Sequence, residues 1–168
     1  EIEARARQYI HLGYQRLVAF ETPLGGFDWY GRAPGDTALT AYGLMEFEDM
    51  ARVHDVDPRL IQRTRQWLLD RRRSDGGWDA SPRFRSVAGS NIDPNYSTTA
   101  YVAWAVFRGE NAAAFGQPTL DYLLRREPAE VTNPYVSALV ANAVSEIQPD
   151  HPAARAYVDR LVQVMRTN

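Results

Sequence analysis

The feature that most constrains this chain is an alternation between two kinds of helical segment. Some carry apolar residues on one side only. The segments between them are apolar nearly all round. Ile2 to Phe20 is of the first kind: Ile2, Tyr9, Ile10, Gly13, Leu17 and Phe20 share one side, while Glu3, Arg7, Gln8, Gln15 and Arg16 fall mostly elsewhere. Thr37-Ala38-Leu39-Thr40-Ala41-Tyr42-Gly43-Leu44-Met45 is of the second kind, as are Tyr101 to Phe107 and Tyr135 to Ala141. A helix without a polar face must be covered on most sides, and a helix with one apolar face can cover it from outside. The alternation therefore predicts two concentric helical layers.

The order of elements follows from local signals. A first helix spans Ile2 to Phe20, and a loop rich in Pro and Gly runs from Glu21 to Gly35. Asp36 is placed to cap a second helix from Thr37 to about Val53. Asp57-Pro58 opens a third, whose narrow face is Leu60, Ile61, Thr64, Trp67 and Leu68 and whose end carries Arg71-Arg72-Arg73. A second long loop covers Ser74 to Pro94. A fourth helix is expected from about Tyr96 to Arg108 and a fifth from near Pro118. Asn133-Pro134 opens a sixth, reaching about Ile147, and Pro152 opens a seventh. Inner helices are the second, fourth and sixth, so Tyr42, Tyr101, Trp104, Leu139 and Val140 are expected in the core. No strand alternation is present. The expected class is all-α, an α/α-toroid fragment of about seven helices in alternating outer and inner layers, with residues 1–168 as a single partial domain.

Repeats agree with that plan. Trp67-Leu68-Leu69-Asp70-Arg71-Arg72 is echoed by Tyr122-Leu123-Leu124-Arg125-Arg126. Gly25-Gly26-Phe27-Asp28 is echoed by Gly76-Gly77-Trp78-Asp79. Thr37-Ala38-Leu39-Thr40-Ala41-Tyr42 is echoed by Ser97-Thr98-Thr99-Ala100-Tyr101. One unit is an outer helix, a Gly-Gly-aromatic turn and an inner helix, and such units bury their cores by stacking.

Composition narrows the chemistry. The formal net charge is −2 and every basic residue is Arg, so no bulk field draws the chain to nucleic acid or anionic lipid. No run approaches the roughly 18 apolar residues that a spanning helix needs, which argues against direct membrane insertion. The absence of Cys removes disulfides, thiolate catalysis and Cys-ligated metal within this sequence. The N-terminal residues read as helix with no signal-peptide pattern, and without an initiator Met the chain reads as a piece of something larger.

The run Gly13-Tyr14-Gln15-Arg16-Leu17-Val18-Ala19-Phe20, then Pro23 and Gly26-Phe27, then Thr37 to Tyr42, resembles the thioester-containing domain of the alpha-2-macroglobulin and complement family. Trp67-Leu68-Leu69 with Asp75-Gly76-Gly77-Trp78 resembles that family's next unit, and Ser97 to Tyr101 the inner helix after it. The likeness covers roughly residues 9 to 108 well. From Pro118 onward it rests on helix order. It implies a ring of helix pairs within a large secreted, periplasmic or cell-envelope protein. It also implies partners: proteases or other proteins reached through the parent molecule, and neighbouring domains of the same polypeptide. In active members an upstream Cys and Gln form an internal thioester, and some complement members supply a His after the Asp-Gly-aromatic turn. The matching stretch here, Ser81-Pro82-Arg83-Phe84-Arg85-Ser86, contains no His. The resemblance thus implies an interaction or scaffold domain of a protease-trapping or defence protein, without catalysis of its own.

Several residues admit other readings. Gly76-Gly77-Trp78-Asp79 is also similar to the repeat of terpene cyclases and prenyltransferases, which makes an enzyme of that toroid class the alternative. Asp36 stands without the supporting Asp residues that alkene protonation needs, and a helix cap accounts for it. His11, His54 and His151 have no ligand spacing. Glu46, Glu48 and Asp49 crowd a helix end where the dipole disfavours them, and Arg partners on a neighbouring helix are expected. Catalytic, cofactor and metal residues are therefore expected to be none. The candidate interaction surface is the pair of Gly-rich loops: Trp29, Tyr30, Trp78, Arg83, Phe84 and Arg85.

Overall fold

A computed structural model describes residues 2–80, 93–109 and 112–167. Among these residues the chain is all-α, with seven helices and no strand: α1 (Ile2–Val18), α2 (Thr37–Met50), α3 (Pro58–Leu69), α4 (Pro94–Phe107), α5 (Gln117–Leu123), α6 (Pro134–Ile147) and α7 (Pro152–Thr167). A 3-10 turn, Ala112–Ala114, precedes α5. Helix starts follow the side chains that satisfy orphan amides. Asp36 accepts from the Leu39 amide, Asp57 from Arg59, Asp93 from Asn95, and Asn133 from Tyr135 and Val136. The start of α4 is earlier than the sequence pattern suggests, because Asp93-Pro94 repeats the cap-then-proline entry of α3 and α6.

The chain divides into two compact units, Glu1–Arg71 and Arg72–Asn168. In the first, the core is Phe27, Phe47, Val56 and Leu60, with Tyr14, Leu17, Val18, Leu39, Met50 and Ile61 packed against it. The third helix, α3, buries Leu60, Thr64, Trp67 and Leu68 and turns Arg59 and Arg63 to water. By contrast, α1 has no buried residue and rides on the core through partly covered side chains. In the second unit α4 and α6, both expected inside, pack on each other, and α7 lies along α6. Buried residues of α4 run from Tyr96 to Phe107 with few gaps. The short α5 touches both α4 and α6 and buries Thr119, Leu120, Tyr122 and Leu123, more than a one-sided outer helix requires. Tyr96 and Tyr157 tie this unit internally. The Tyr96 hydroxyl donates to the Leu123 carbonyl and that of Tyr157 to the Arg126 carbonyl, 2.8 and 2.6 Å away. Burial, then the neighbouring Tyr157 hydroxyl, pushes the Tyr96 phenol well above its ordinary range.

Leu139 and Val140 are buried as expected, but Tyr42 is 48% exposed and Tyr101 and Trp104 are half-buried. Tyr101 and Trp104 are one turn apart on a stripe of α4 that is only partly covered. Tyr42 faces outward beside Glu46, whose carboxylate accepts its hydroxyl and raises the phenol's pKa.

Candidate functional site

The loop between α1 and α2 is held by its own backbone. The Phe27 amide donates to Thr40 Oγ1 at 2.8 Å, and that hydroxyl donates to the Asp36 carbonyl at 2.6 Å. The Asp36 amide closes the circuit onto the Phe27 carbonyl at 2.8 Å. One hydroxyl at the first turn of an apolar helix thus satisfies buried backbone groups that water cannot reach. Asp28 accepts from the Tyr30 amide, which tightens the tip. Beneath the loop, the Trp67 ring lies against Gly25 and Gly26, and the Arg71 guanidinium stacks over it with 3.5 Å to the ring centroid.

This arrangement leaves an open recess of about 210 Å³ in the first unit. Its walls are Leu17 and Phe20 from the α1 exit, Phe27, Asp28 and Trp29 from the loop, and Leu39, Tyr42, Gly43 and Phe47 from α2, almost all apolar. Three of those walls remain open to water: Phe20 at 40%, Trp29 at 54% and Tyr42 at 48%. Tyr30 stands beside it at 75%. A cavity of this size matches one large apolar side chain and falls short of the roughly 300 Å³ where small-molecule sites begin.

The second Gly-Gly-aromatic turn repeats the anchoring device. The Trp78 amide donates to Thr99 Oγ1 at 2.8 Å, as Phe27 does to Thr40. Ser137 at the first turn of α6 does related work, donating to the Val131 carbonyl at 3.0 Å. The hydroxyl rows were partly visible in the sequence; their role as loop anchors was not. Trp78 itself is fully buried, so it does not belong to a recognition surface. Its ring is a core residue because the loop turns inward once its amide is bound to α4. Of the expected interaction surface, Trp29 and Tyr30 are exposed in the first unit. Arg83, Phe84 and Arg85, with the whole stretch Ser81 to Ser86, lie outside the described residues.

The remaining charged candidates are engaged internally. The third helix ends at Leu69, so Arg71-Arg72-Arg73 follow it and do not close it. They are drawn off by contacts: Arg72 donates to the Phe115 carbonyl at 2.7 Å, and Arg73 forks onto Asp75 and reaches Asp79. The fork from Arg73 and an amide bond from Gly77 hold the Asp75 carboxyl below its ordinary range. Glu48 pairs with Arg65 of α3, the cross-helix partner expected for that acidic cluster, and Asp49 pairs with Arg52 at 3.4 Å. Asp36 acts as a helix cap. His151 accepts from the Ala153 amide at the start of α7. Among the described residues no group of three His, Asp or Glu side chains is arranged to hold a metal ion, and no helix is long and apolar enough to cross a membrane.

Comparison with known proteins places the whole chain. A family model described as the A-macroglobulin TED domain matches residues 1–168, without a break across the two units. Ovostatin of Gallus gallus is 22% identical over 148 residues, which is 85% of this chain and 10% of ovostatin. The chain therefore spans about a tenth of the length of that relative.

Proposed function

This chain belongs to the A-macroglobulin TED domain family, and we propose that it is a non-catalytic interaction and scaffold domain of an alpha-2-macroglobulin-like protein. The parent acts in protease trapping or inhibition, in envelope or host defence, and is secreted, periplasmic or held at the cell envelope. The observation that carries this reading is the apolar recess of the first unit. In the second repeat the positions equivalent to Trp29 and Tyr42 are Ala80, which is buried, and Tyr101, which is half-buried. In the first, Phe20, Trp29 and Tyr42 are left in water around an apolar hollow. Contiguous apolar surface of this kind marks a place where another surface docks. The partner is a neighbouring segment of the same polypeptide, one of whose apolar side chains enters the hollow.

The chemistry of the chain supports a passive role. Without Cys it supplies no thioester sulfur. Arg is permanently protonated, so Arg83 and Arg85 provide no general base to replace a missing His. Asp36 spends its carboxylate on the Leu39 amide, and the sequence around it lacks the further Asp residues that would make it a proton donor to an alkene.

The test uses the full-length parent. A photo-crosslinking amino acid placed at Trp29 is expected to link to another segment of the same polypeptide. Links only to a separate protein, or none, would overturn the docking assignment. Incubating the parent with a protease is expected to give a complex that co-elutes on gel filtration. Turnover of an isoprenoid diphosphate by the chain would instead establish the cyclase-like alternative.

A further inference from the structure

Two imidazoles meet where α1 lies against the end of α2. His11 on α1 and His54, just past α2, sit edge to face with ring centroids 5.5 Å apart. The His54 ring edges Tyr14 at 5.7 Å, Tyr14 edges Phe47 at 6.2 Å, and Phe47 leans on Phe27 at 5.3 Å. This aromatic ladder starts at the two histidines and ends in two walls of the recess. The helix that carries its outer rung is weakly held. No residue of α1 is buried, and Tyr14, Leu17 and Val18 attach it to the core from partly covered positions.

The charged surroundings offer the pair little compensation. On α1, His11 Nε2 meets the Gln15 side chain at 3.0 Å, and Arg7 one turn earlier is paired with Glu3. Tyr14 accepts the Asp57 amide at 3.3 Å through its hydroxyl. Around His54, Asp49 is paired with Arg52 and Asp57 with Arg59. Asp55, next in sequence, is exposed. No ion pair links either imidazole to a carboxylate among the described residues.

We infer that His11 and His54 form a pH-sensitive catch that holds α1 against α2 and opens the α1 side of the recess when both rings are charged. Histidine is the side chain that changes charge between about pH 5 and 8. Neutral rings pack edge to face. As pH falls, each ring gains a proton, and two like charges in contact raise the energy of the docked arrangement. Docking is thus intact at higher pH and weakened at lower pH. His11 is exposed, so water and salt screen the repulsion and keep the effect modest. Leu17 and Phe20, at the end of the loosened helix, are recess walls, so the catch governs access to that hollow. The catch does not depend on which segment fills the recess.

Hydrogen exchange on the intact chain tests this, with protection factors corrected for the intrinsic pH dependence of exchange. Between about pH 7.5 and about pH 5, α1 is expected to lose roughly threefold to tenfold in protection relative to α3. His11→Gln and His54→Gln are each expected to abolish the loss, since one charge has no partner. Unchanged protection in the wild-type chain, or an equal loss in both variants, would overturn the proposal.

Discussion

Replacing Gly76 with Ala is expected to cost the second unit several kcal/mol, and the structure says where each part arises. Gly76 has φ +90°, a conformation that L side chains rarely adopt. Such strain costs on the order of 1–3 kcal/mol. A Cβ at this position would fall 2.0 Å from the Pro118 carbonyl oxygen, 2.2 Å from its carbon and 2.7 Å from the Thr119 nitrogen. All three are backbone atoms in the first turn of α5, so no change of rotamer relieves the clash. Loop or helix must move, and either movement breaks the buried 2.8 Å bond from the Thr119 hydroxyl to the Gly76 carbonyl. An unsatisfied buried acceptor costs a further 1–3 kcal/mol or so. The total of about 2–6 kcal/mol is a large share of the 5–15 kcal/mol that typically holds a domain. Gly109 is the control: its φ is +69°, and a Cβ there meets nothing within 4 Å. Gly109→Ala should show the backbone cost alone, about 1–2 kcal/mol. Gly13, inside α1 with open space around it, should gain roughly 0.5–1 kcal/mol as Ala. Urea unfolding followed by far-ultraviolet circular dichroism would rank the midpoints Gly13→Ala, wild type, Gly109→Ala, Gly76→Ala. Equal midpoints for Gly76→Ala and Gly109→Ala, at unchanged slope, would show that the loop does not brace α5.

Thr40→Val and Thr99→Val each leave a buried loop amide unpaired, and each is expected to lower stability by about 1–3 kcal/mol in urea titrations. Trp78→Ala should cost about 3–5 kcal/mol and Trp104→Ala clearly less, because the first ring is fully buried and the second half-buried; calorimetric unfolding ranks them. The Asp75 carboxyl is held below its unfolded value, so its contribution is present above that value and lost as pH falls through the folded one. Asp75→Asn should therefore flatten the acid limb of the stability curve below about pH 4. Methylamine should leave the mass of the chain unchanged, since no thioester sulfur is available.

The all-α class and the order of helices were legible because burial imposes a pattern on sequence. Helices α4 and α6 show no polar face and are buried on most sides, and the Asx caps Asp36, Asp57 and Asn133 sit at their expected positions, while Asp93 starts α4 earlier than its pattern suggests. The pattern misleads for large aromatic residues on an inner helix, whose type alone points to the core. Tyr42 and Tyr101 occupy the same repeat position, yet one is exposed and the other half-buried, since exposure depends on the neighbouring element and not on the helix that carries the residue. Trp78 misled in the other direction. Loop composition suggested a surface aromatic, but the Thr99 hydroxyl binds the Trp78 amide and turns the ring inward. The recess could not be read from sequence at all. Its walls come from three elements, and only their three-dimensional approach makes a hollow.

The hydroxyl anchors separate scaffold from variable surface within each repeat. Thr40 and Thr99 bind the aromatic residue of the preceding turn through its amide, so the aromatic side chain is fixed as a core element: Phe27 is 4% exposed and Trp78 fully buried. The next residue is Asp in both turns, and in both it is used locally. Asp28 accepts from the Tyr30 amide, and Asp79 accepts from Arg73 at 2.7 Å. The positions that follow the Asp are Trp29 and Ala80. There the two repeats part: Trp29 is exposed in one, and Ala80 is buried in the other with its amide bound to Asn95. The docking role proposed above falls two residues beyond the anchored aromatic, outside the Phe27–Thr40–Asp36 circuit. On that proposal the contact falls to Trp29 and Tyr30 and to the recess that Trp29 lines, while the corresponding position of the second described turn, Ala80, is buried.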